Sequence, residues 1–199
     1  MATKDARERA RRIRAVVLDV DGVLTDAGLY YSARGESIKR FSARDGFAIK
    51  VAQHEGITVA ILSGRVAPPL RARLVDLGID QSCVIQGSRD KAADLRLLCD
   101  RLSITPEEAA FMGDDLPDLP ALAVAGLAAC PADAAAEVRA RCHVTCTAPA
   151  GRGAVRELIE FVLVAQGRWD TVVAAWAAGT AGPAMDSRVA GRTGGKNER

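Results

Sequence analysis

Short apolar segments alternate with amphipathic segments along most of this 199-residue chain, and this alternation restricts its fold more than any other feature. Residues 15–20 (AVVLDV) and 57–63 (ITVAILS) are mainly apolar runs, of the kind found in strands that are buried on both faces. Between such runs, apolar residues recur at helical spacing, as Leu95, Leu98 and Leu102 do. The sequence therefore predicts an α/β fold, a doubly wound, Rossmann-like, mainly parallel sheet flanked by helices.

The remaining elements follow from the same patterns. A β-hairpin is expected over residues 28–41, because two strand-like runs flank Ala33-Arg34-Gly35 directly after the first strand. Further strands are predicted at 82–86, 109–112, 126–130 and 143–146, and helices at 44–55, 68–77, 89–102, 116–125, 132–141 and 154–166. The helix at 116–125 is expected to be interrupted near Pro120.

Both ends of the chain differ in composition from the segment between them. Residues 1–14 carry six basic and two acidic side chains, and we expect a basic arm that is frayed or partly helical. The predicted domain spans residues 15–168. Residues 169–199 form a tail that we expect to be largely disordered, because its last part is rich in Gly, Ala, Thr and charge.

The formal net charge of +2 is an average over these unlike parts. The central segment, residues 15–167, holds 16 basic and 20 acidic side chains, so its net charge is −4. A nucleic-acid-binding domain needs a basic patch on its folded body, which this count does not favour. We therefore expect no nucleic-acid partner.

Location is predicted from apolar runs and cysteines. No apolar run approaches the roughly 18–20 residues of a membrane helix, and the N-terminal segment lacks the apolar core of a secretory signal. The five cysteines are odd in number and contain no CxxC pair, which favours reduced thiols over a disulfide framework. We expect a cytoplasmic protein without a membrane partner.

Polar residues follow several predicted strands, where open α/β sheets bind their ligands. Clustered carboxylates repel one another unless a cation neutralises them, and oxygen ligands of this type suit Mg²⁺. A carboxylate is also a possible nucleophile that forms an aspartyl phosphate, and a second carboxylate two residues on could act as acid and base. The residues concerned are Asp19, Asp21 and Asp26 after the first strand, Ser63-Gly64-Arg65 after the second, Lys91 after the third, and Asp114, Asp115 and Asp118 after the fourth.

Together these segments resemble the four motifs of the haloacid dehalogenase superfamily. The motifs are DVDGVLTD (19–26), SGR (63–65), Lys91 and GDDLPD (113–118). RFSARDGFAIK (40–50) and APAGRGAVRELIEFVLVAQG (148–167) further resemble the 3-deoxy-D-manno-octulosonate 8-phosphate phosphatase family, as does a hairpin with no room for a large cap domain. The resemblance covers roughly residues 14–168.

The resemblance implies a role for each matching residue. Asp19 would be the nucleophile and a Mg²⁺ ligand, and Asp21 would be the general acid and base with its carbonyl on the metal. Asp114 would be the third ligand, supported by Asp118, while Ser63, Gly64 and Lys91 would hold the phosphoryl group. The substrate-binding residues would be Asp21, Ser42, Ala43, Arg44, Asp45, Gly46, Lys50, Arg65, Arg73 and Lys91, with Lys50 standing where the family often has arginine.

The family also implies a homotetramer in which hairpins such as 28–41 help to close the active sites of neighbouring subunits. The leading hypothesis is a Mg²⁺-dependent phosphatase acting on a sugar acid phosphate, 3-deoxy-D-manno-octulosonate 8-phosphate, in lipopolysaccharide precursor synthesis. Two alternatives remain open: a phosphatase for a nonulosonate 9-phosphate, and a non-catalytic oligomerisation partner of a sugar-acid cytidylyltransferase.

Overall fold

Six parallel strands form the central sheet of the protein, in a computed structural model that describes residues 4–33 and 35–180. The first strand along the chain, β1, lies in the interior of this sheet, between β4 and β6. The sheet order is β5-β4-β1-β6-β7-β8, with β1 at Ala15–Leu18, β4 at Thr58–Ser63, β5 at Val84–Gln86, β6 at Ala109–Met112, β7 at Leu127–Cys130 and β8 at Val144–Thr145.

Helices flank the sheet in two groups. One group is centred on α7, which contacts α1, α2 and α8, and in the other group α4 packs against α5. Within the described residues, the helices are α1 (Lys4–Ala10), α2 (Ala43–His54), α3 (Pro68–Leu77), α4 (Lys91–Leu102), α5 (Leu119–Val124), α6 (Ala136–Arg139), α7 (Ala154–Ala165) and α8 (Trp169–Ala177).

The core lies between the sheet and these helices. All four residues of β1 and all four of β6 are fully buried, which explains why their sequences show no polar alternation. Helix α7 contributes Leu158, Ile159 and Val162 from one face, at helical spacing. The predicted doubly wound α/β fold class is confirmed.

The predicted hairpin is also present, formed by β2 (Tyr30–Ser32) and β3 (Gly35–Ile38) in antiparallel pairing. Its predicted turn includes Arg34, which lies outside the described residues. Both strands are largely open to solvent, because Tyr31 is 64% and Ile38 61% exposed.

The structure differs from the sequence prediction mainly at one helix. The segment expected as a helix over 116–125, interrupted near Pro120, is a 3₁₀ turn at Leu116–Asp118 followed by α5, with prolines in both pieces. The helix expected over 132–141 is reduced to α6. Residues 132–135 are held by other parts of the chain, since Ala132 donates to the carbonyl of Ala148 and Ala135 to that of Asp114.

Both chain ends carry a helix that packs on the body. In α1, at the expected N-terminal arm, Ala6 and Ala10 are fully buried. In α8, within the expected tail, Val172 is buried and the Trp176 ring meets Phe47 edge-on at 5.0 Å. The rest of the tail that was expected to be largely disordered, residues 181–199, lies outside the described residues. None of the described helices is long and apolar enough to cross a membrane.

Candidate active site

The loop after β1 places Asp19 at the carboxyl edge of the sheet. Asp19 follows the last residue of β1 and is only 7% exposed. The chain then turns through Val20–Leu24, where Gly22 adopts φ +82°. A Cβ atom at Gly22 would lie 2.0 Å from the Asp114 carboxylate, so only glycine allows the β1 loop and Asp114 to come this close.

Three carboxylates converge at this edge. Asp19, Asp114 and Asp118 each offer an oxygen, and these oxygens lie within 4.8 Å of one another. Asp118 is fully buried and shapes the loop, because its carboxylate accepts hydrogen bonds from the amides of Asp114 (2.9 Å) and Asp115 (3.3 Å). Gly113 makes room for it, since a Cβ there would lie 2.4 Å from the Asp118 side chain.

The electrostatics of this cluster are those of a cation site. Burial, followed by repulsion from Asp118, raises the pKa of Asp19 to about 7. The pKa of Asp114 is raised to about 7 by burial and by the charges of Asp118 and Asp19. A cation between these buried carboxylates would stabilise their ionised forms, and a hard cation such as Mg²⁺ prefers oxygen ligands. The donor set therefore fits Mg²⁺.

Lys91 provides a fixed positive charge beside the cluster. Its Nζ lies 3.2 Å from Asp19 and 2.5 Å from Asp118, and its side chain is 7% exposed. Burial lowers the pKa of Lys91, but the carboxylates of Asp19 and Asp118 outweigh it and raise the pKa above its ordinary value. Lys91 is the first residue of α4, where Asp90 caps the helix by accepting from the amides of Ala92 and Ala93.

Ser63 is the last residue of β4, the strand beside β1, and Gly64 follows it. Ser63 is buried, and its hydroxyl oxygen accepts a hydrogen bond from the Arg65 amide at 3.2 Å. Because neighbouring parallel strands end at the same edge of a sheet, these residues border the carboxylate cluster.

Asp21 has two cationic partners. Lys39 contacts its Oδ1, and the Nε of Arg65 lies 3.4 Å from its Oδ2. Sequence reasoning identified Arg65 but missed Lys39 and its second partner, Glu36, which come from the hairpin. No sequence motif includes Lys39. The available signal was a charged residue at the exit of a hairpin that directly follows the loop after β1.

The predicted substrate loop, residues 42–46, begins α2. Ser42 caps the helix by accepting from the Asp45 amide at 3.3 Å. The Asp45 carboxylate is buried and accepts from the amides of Gly153 (3.1 Å) and Arg156 (2.9 Å), at the start of α7. Asp45 thus ties the loop to α7, and the substrate contact expected for it stays a prediction.

Arg73 supports the same loop from α3. Its guanidinium donates to the Ser42 carbonyl (3.1 Å) and to Asp76 (2.6 Å), and it lies over the Phe41 ring. A Cβ at Gly46 would lie 2.1 Å from this guanidinium, so a larger residue there would displace the Arg73 side chain. Arg73 thus makes several contacts within the protein, and the substrate contact expected for it stays a prediction.

The remaining residues of the loop are available for a ligand. Ala43 and Arg44 are exposed, and Lys50 is partly exposed one helix segment further on. Within the described residues, the side chains of Arg44 and Lys50 form no ion pair. The segment before α7, which Asp45 contacts at Gly153, adjoins the loop after β1, because the Gly151 amide donates to the Val23 carbonyl at 3.0 Å.

Comparisons with known proteins agree with this geometry. A family model for haloacid dehalogenase-like hydrolases matches residues 40–126. A 3-deoxy-D-manno-octulosonate 8-phosphate phosphatase from Haemophilus influenzae is 41% identical over 162 residues, which cover 81% of this chain and 89% of the relative. The enzyme of the same name from Escherichia coli K12 is 40% identical over 166 residues, covering 83% of this chain and 87% of the relative.

Solved structures give the same result. The cobalt-bound phosphatase from Haemophilus influenzae has a TM-score of 0.79 at 40% identity and covers 82% of this chain and 94% of its own. The structure of the Moraxella catarrhalis phosphatase, in complex with magnesium, phosphate and KDO, has a TM-score of 0.83 at 34% identity. The match covers 87% of this chain and 99% of the Moraxella chain. The chain therefore belongs to the 3-deoxy-D-manno-octulosonate 8-phosphate phosphatase family of the haloacid dehalogenase-like hydrolases.

Proposed function

We propose that this chain is a Mg²⁺-dependent phosphatase that hydrolyses 3-deoxy-D-manno-octulosonate 8-phosphate to the free sugar acid and phosphate. The carrying observation is the cluster of Asp19, Asp114 and Asp118 with the buried Lys91, at the sheet edge where the family has its motifs. Relatives at 40–41% identity that carry the name of this activity support the substrate. The reaction belongs to lipopolysaccharide precursor synthesis.

Asp19 and Asp114 would hold Mg²⁺ with their carboxylates, together with the backbone carbonyl of Asp21, and Asp118 would support them. When bound, Mg²⁺ supplies positive charge that offsets the charge of the phosphoryl oxygens. Lys91 and Ser63, with the backbone at Gly64, would bind the same oxygens.

The chemistry proceeds in two displacements at phosphorus. In the first, an oxygen of Asp19 forms a bond to phosphorus while the bond to the sugar oxygen breaks, and Asp21 gives its proton to that oxygen. In the second, Asp21 takes a proton from a water molecule that attacks phosphorus. The bond to Asp19 then breaks, which releases phosphate and restores both carboxyl groups.

The sugar acid itself would be recognised by cationic side chains around the site. Arg44 and Lys50 are the candidates for its carboxylate, because their charges are not used within the described part of the chain. Arg65 borders the site through its contact with Asp21. Asp45 and Arg73 act on recognition indirectly, since they hold the loop that carries Arg44.

The exposed hairpin supports a homotetramer. Leu29, Tyr30, Tyr31 and Ile38 are between 45% and 64% exposed, an arrangement that buried contacts with neighbouring subunits would explain.

A cytoplasmic location remains a prediction, supported by five cysteines that are all free thiols.

A phosphate-release assay over a panel of sugar acid phosphates tests the proposal. We expect 3-deoxy-D-manno-octulosonate 8-phosphate to give the highest kcat/KM with Mg²⁺ and EDTA to abolish turnover. A higher kcat/KM for a nonulosonate 9-phosphate would reassign the substrate. Inactivity on the whole panel, combined with binding to a sugar-acid cytidylyltransferase, would favour the non-catalytic alternative.

A further inference from the structure

Lys39 is a buried lysine at the exit of the hairpin. Its side chain is 1% exposed, and its Nζ contacts Oδ1 of Asp21 and lies 2.6 Å from Oε1 of Glu36. A buried ammonium group is tolerated only where carboxylates or other acceptors replace its hydration. The charge of Lys39 is therefore committed to these two carboxylates.

Arg65, in the loop after β4, contacts the same two carboxylates. It lies 3.4 Å from Oδ2 of Asp21 and donates to Glu36 at 2.9 Å and to the Tyr31 hydroxyl at 3.1 Å. The hydrogen bonds with Tyr31 and Glu36 raise the pKa of Arg65, which keeps it charged. Two cations and two carboxylates thus form a neutral network around Asp21.

We propose that Lys39 is a positioning residue that holds the Asp21 carboxyl group for proton transfer, with Glu36 fixing Lys39 in turn. This inference rests on the proposed function, in which Asp21 is the acid and base. Each Asp21 oxygen faces a cation from a different element, which restricts rotation of the side chain. Proton transfer depends on such orientation, and a displacement of about 1 Å can cost on the order of 100-fold in rate.

The hairpin itself gives no structural reason to bury a lysine. Its strands are open to solvent, with Tyr31 64% and Ile38 61% exposed, so Lys39 is not part of a hairpin core. For stability alone, an apolar side chain of similar volume usually serves as well as a buried ion pair. A role toward Asp21 explains why the buried side chain carries a charge.

A double-mutant cycle on Lys39 and Asp21 tests the inference. The variants K39M, K39R, D21N and D21N/K39M are assayed with Mg²⁺ on 3-deoxy-D-manno-octulosonate 8-phosphate and on p-nitrophenyl phosphate, whose leaving group needs no proton. We expect K39M to lower kcat on the sugar phosphate roughly 10- to 100-fold, with a smaller change in KM and a smaller loss on p-nitrophenyl phosphate. K39R should recover part of the loss.

The decisive comparison is made in the D21N background. If Lys39 acts through Asp21, the kcat of D21N/K39M should lie within about twofold of that of D21N. The effects of two substitutions are not additive when the residues interact. An unchanged kcat for K39M, or an equal loss with and without Asp21, would overturn the inference. If K39M does not fold, E36Q replaces it in the same cycle under the same criterion.

Controls separate this inference from the proposed function. R14M removes an exposed ion pair with Glu108 at 3.4 Å and should leave kcat unchanged, and thermal unfolding is followed for every variant. Failure of the wild-type protein to release phosphate would refute the proposed function. An active wild type with an unaffected K39M would refute the inference alone.

Discussion

At the scale of single residues, the site depends on carboxylates that the fold forces together. Asp19 and Asp114 are strained as anions because both are buried beside Asp118. The proposed mechanism accounts for this arrangement, because it needs a nucleophile and a cation site in one place. Sites of this kind lower the stability of the metal-free protein, and cation binding restores it.

The pH dependence of stability should reveal this strain. Both pKa values are raised from 3.8 to about 7, so the folded metal-free protein binds more protons than the unfolded chain between these values. Its stability should therefore fall as the pH rises from 4 to 7. We expect D114N to be more stable than the wild type at pH 8 in EDTA, by on the order of 1–3 kcal/mol, but not at pH 4.

Urea unfolding in EDTA at both pH values measures this difference. D100N, at an exposed position of α4, serves as the matched control and should follow the wild type. The explanation would be wrong if D114N gave no gain at pH 8, or if D100N gave the same gain. Adding Mg²⁺ should stabilise the wild type and have little effect on D114N.

At the scale of elements, two contacts determine where the substrate loop lies. Asp45 joins α2 to the first turn of α7, and Arg73 joins the loop to α3. Asp45 satisfies amides that α7 itself cannot pair, because the first turn of a helix has no internal acceptors. The loop therefore takes its position from two neighbouring helices.

Replacing Asp45 should disturb both stability and recognition. We expect D45A to lose about 1–3 kcal/mol of unfolding free energy, because two amides of α7 lose a charged acceptor. D45N retains one acceptor oxygen and should lose less. Urea unfolding compares the two, and equal stability of D45A and wild type would contradict the assigned contact.

Arg73 should affect substrate binding more than the chemical step. R73M removes the donors to Ser42 and Asp76, so the loop carrying Arg44 loses its support. We expect KM for the sugar phosphate to rise roughly tenfold with a smaller change in kcat, and R73K to recover little because lysine lacks the planar fork. A fall in kcat at unchanged KM would place Arg73 in the chemical step.

The elements also show how far sequence reasoning reaches. The buried strands and the four motif segments are local signals, since their residue types and positions at strand ends are visible without the fold. The helix expected over 132–141 was wrong for most of its length because hydrogen bonds from Ala132 and Ala135 to distant carbonyls outweigh helix propensity. Lys39 was missed because its partner, Asp21, lies 18 residues away.

Tertiary contacts also give two predicted site residues a role that the sequence does not show, which is to hold the substrate loop in place. Motif resemblance placed Asp45 and Arg73 in the substrate site, and the structure engages both with backbone groups of the protein. A sequence motif indicates that a residue belongs to a site. It does not distinguish a residue that contacts the ligand from one that supports the binding loop. The structure does bring Asp19, Asp114 and Asp118 together, and their role in holding a metal stays a prediction.

At the scale of the whole molecule, the hairpin is the feature that a single chain does not explain. We expect the wild type to have the mass of four chains in size-exclusion chromatography with light scattering. L29D/I38D should give smaller species with reduced activity, because charges at these exposed apolar positions oppose burial between subunits. L97D, at a 41% exposed position on α4, should leave both mass and activity unchanged. A monomeric wild type with full activity would contradict the proposed assembly.

The proposed phosphatase mechanism depends most on covalent chemistry at Asp19. During turnover of 3-deoxy-D-manno-octulosonate 8-phosphate with Mg²⁺, rapid acid quench and peptide mass spectrometry should locate a phosphoryl group on Asp19. The D19N variant should show no phosphoryl group and should lose at least about 10³-fold in kcat. A phosphoryl group on another residue, or a D19N protein that releases phosphate at the wild-type rate, would contradict the account.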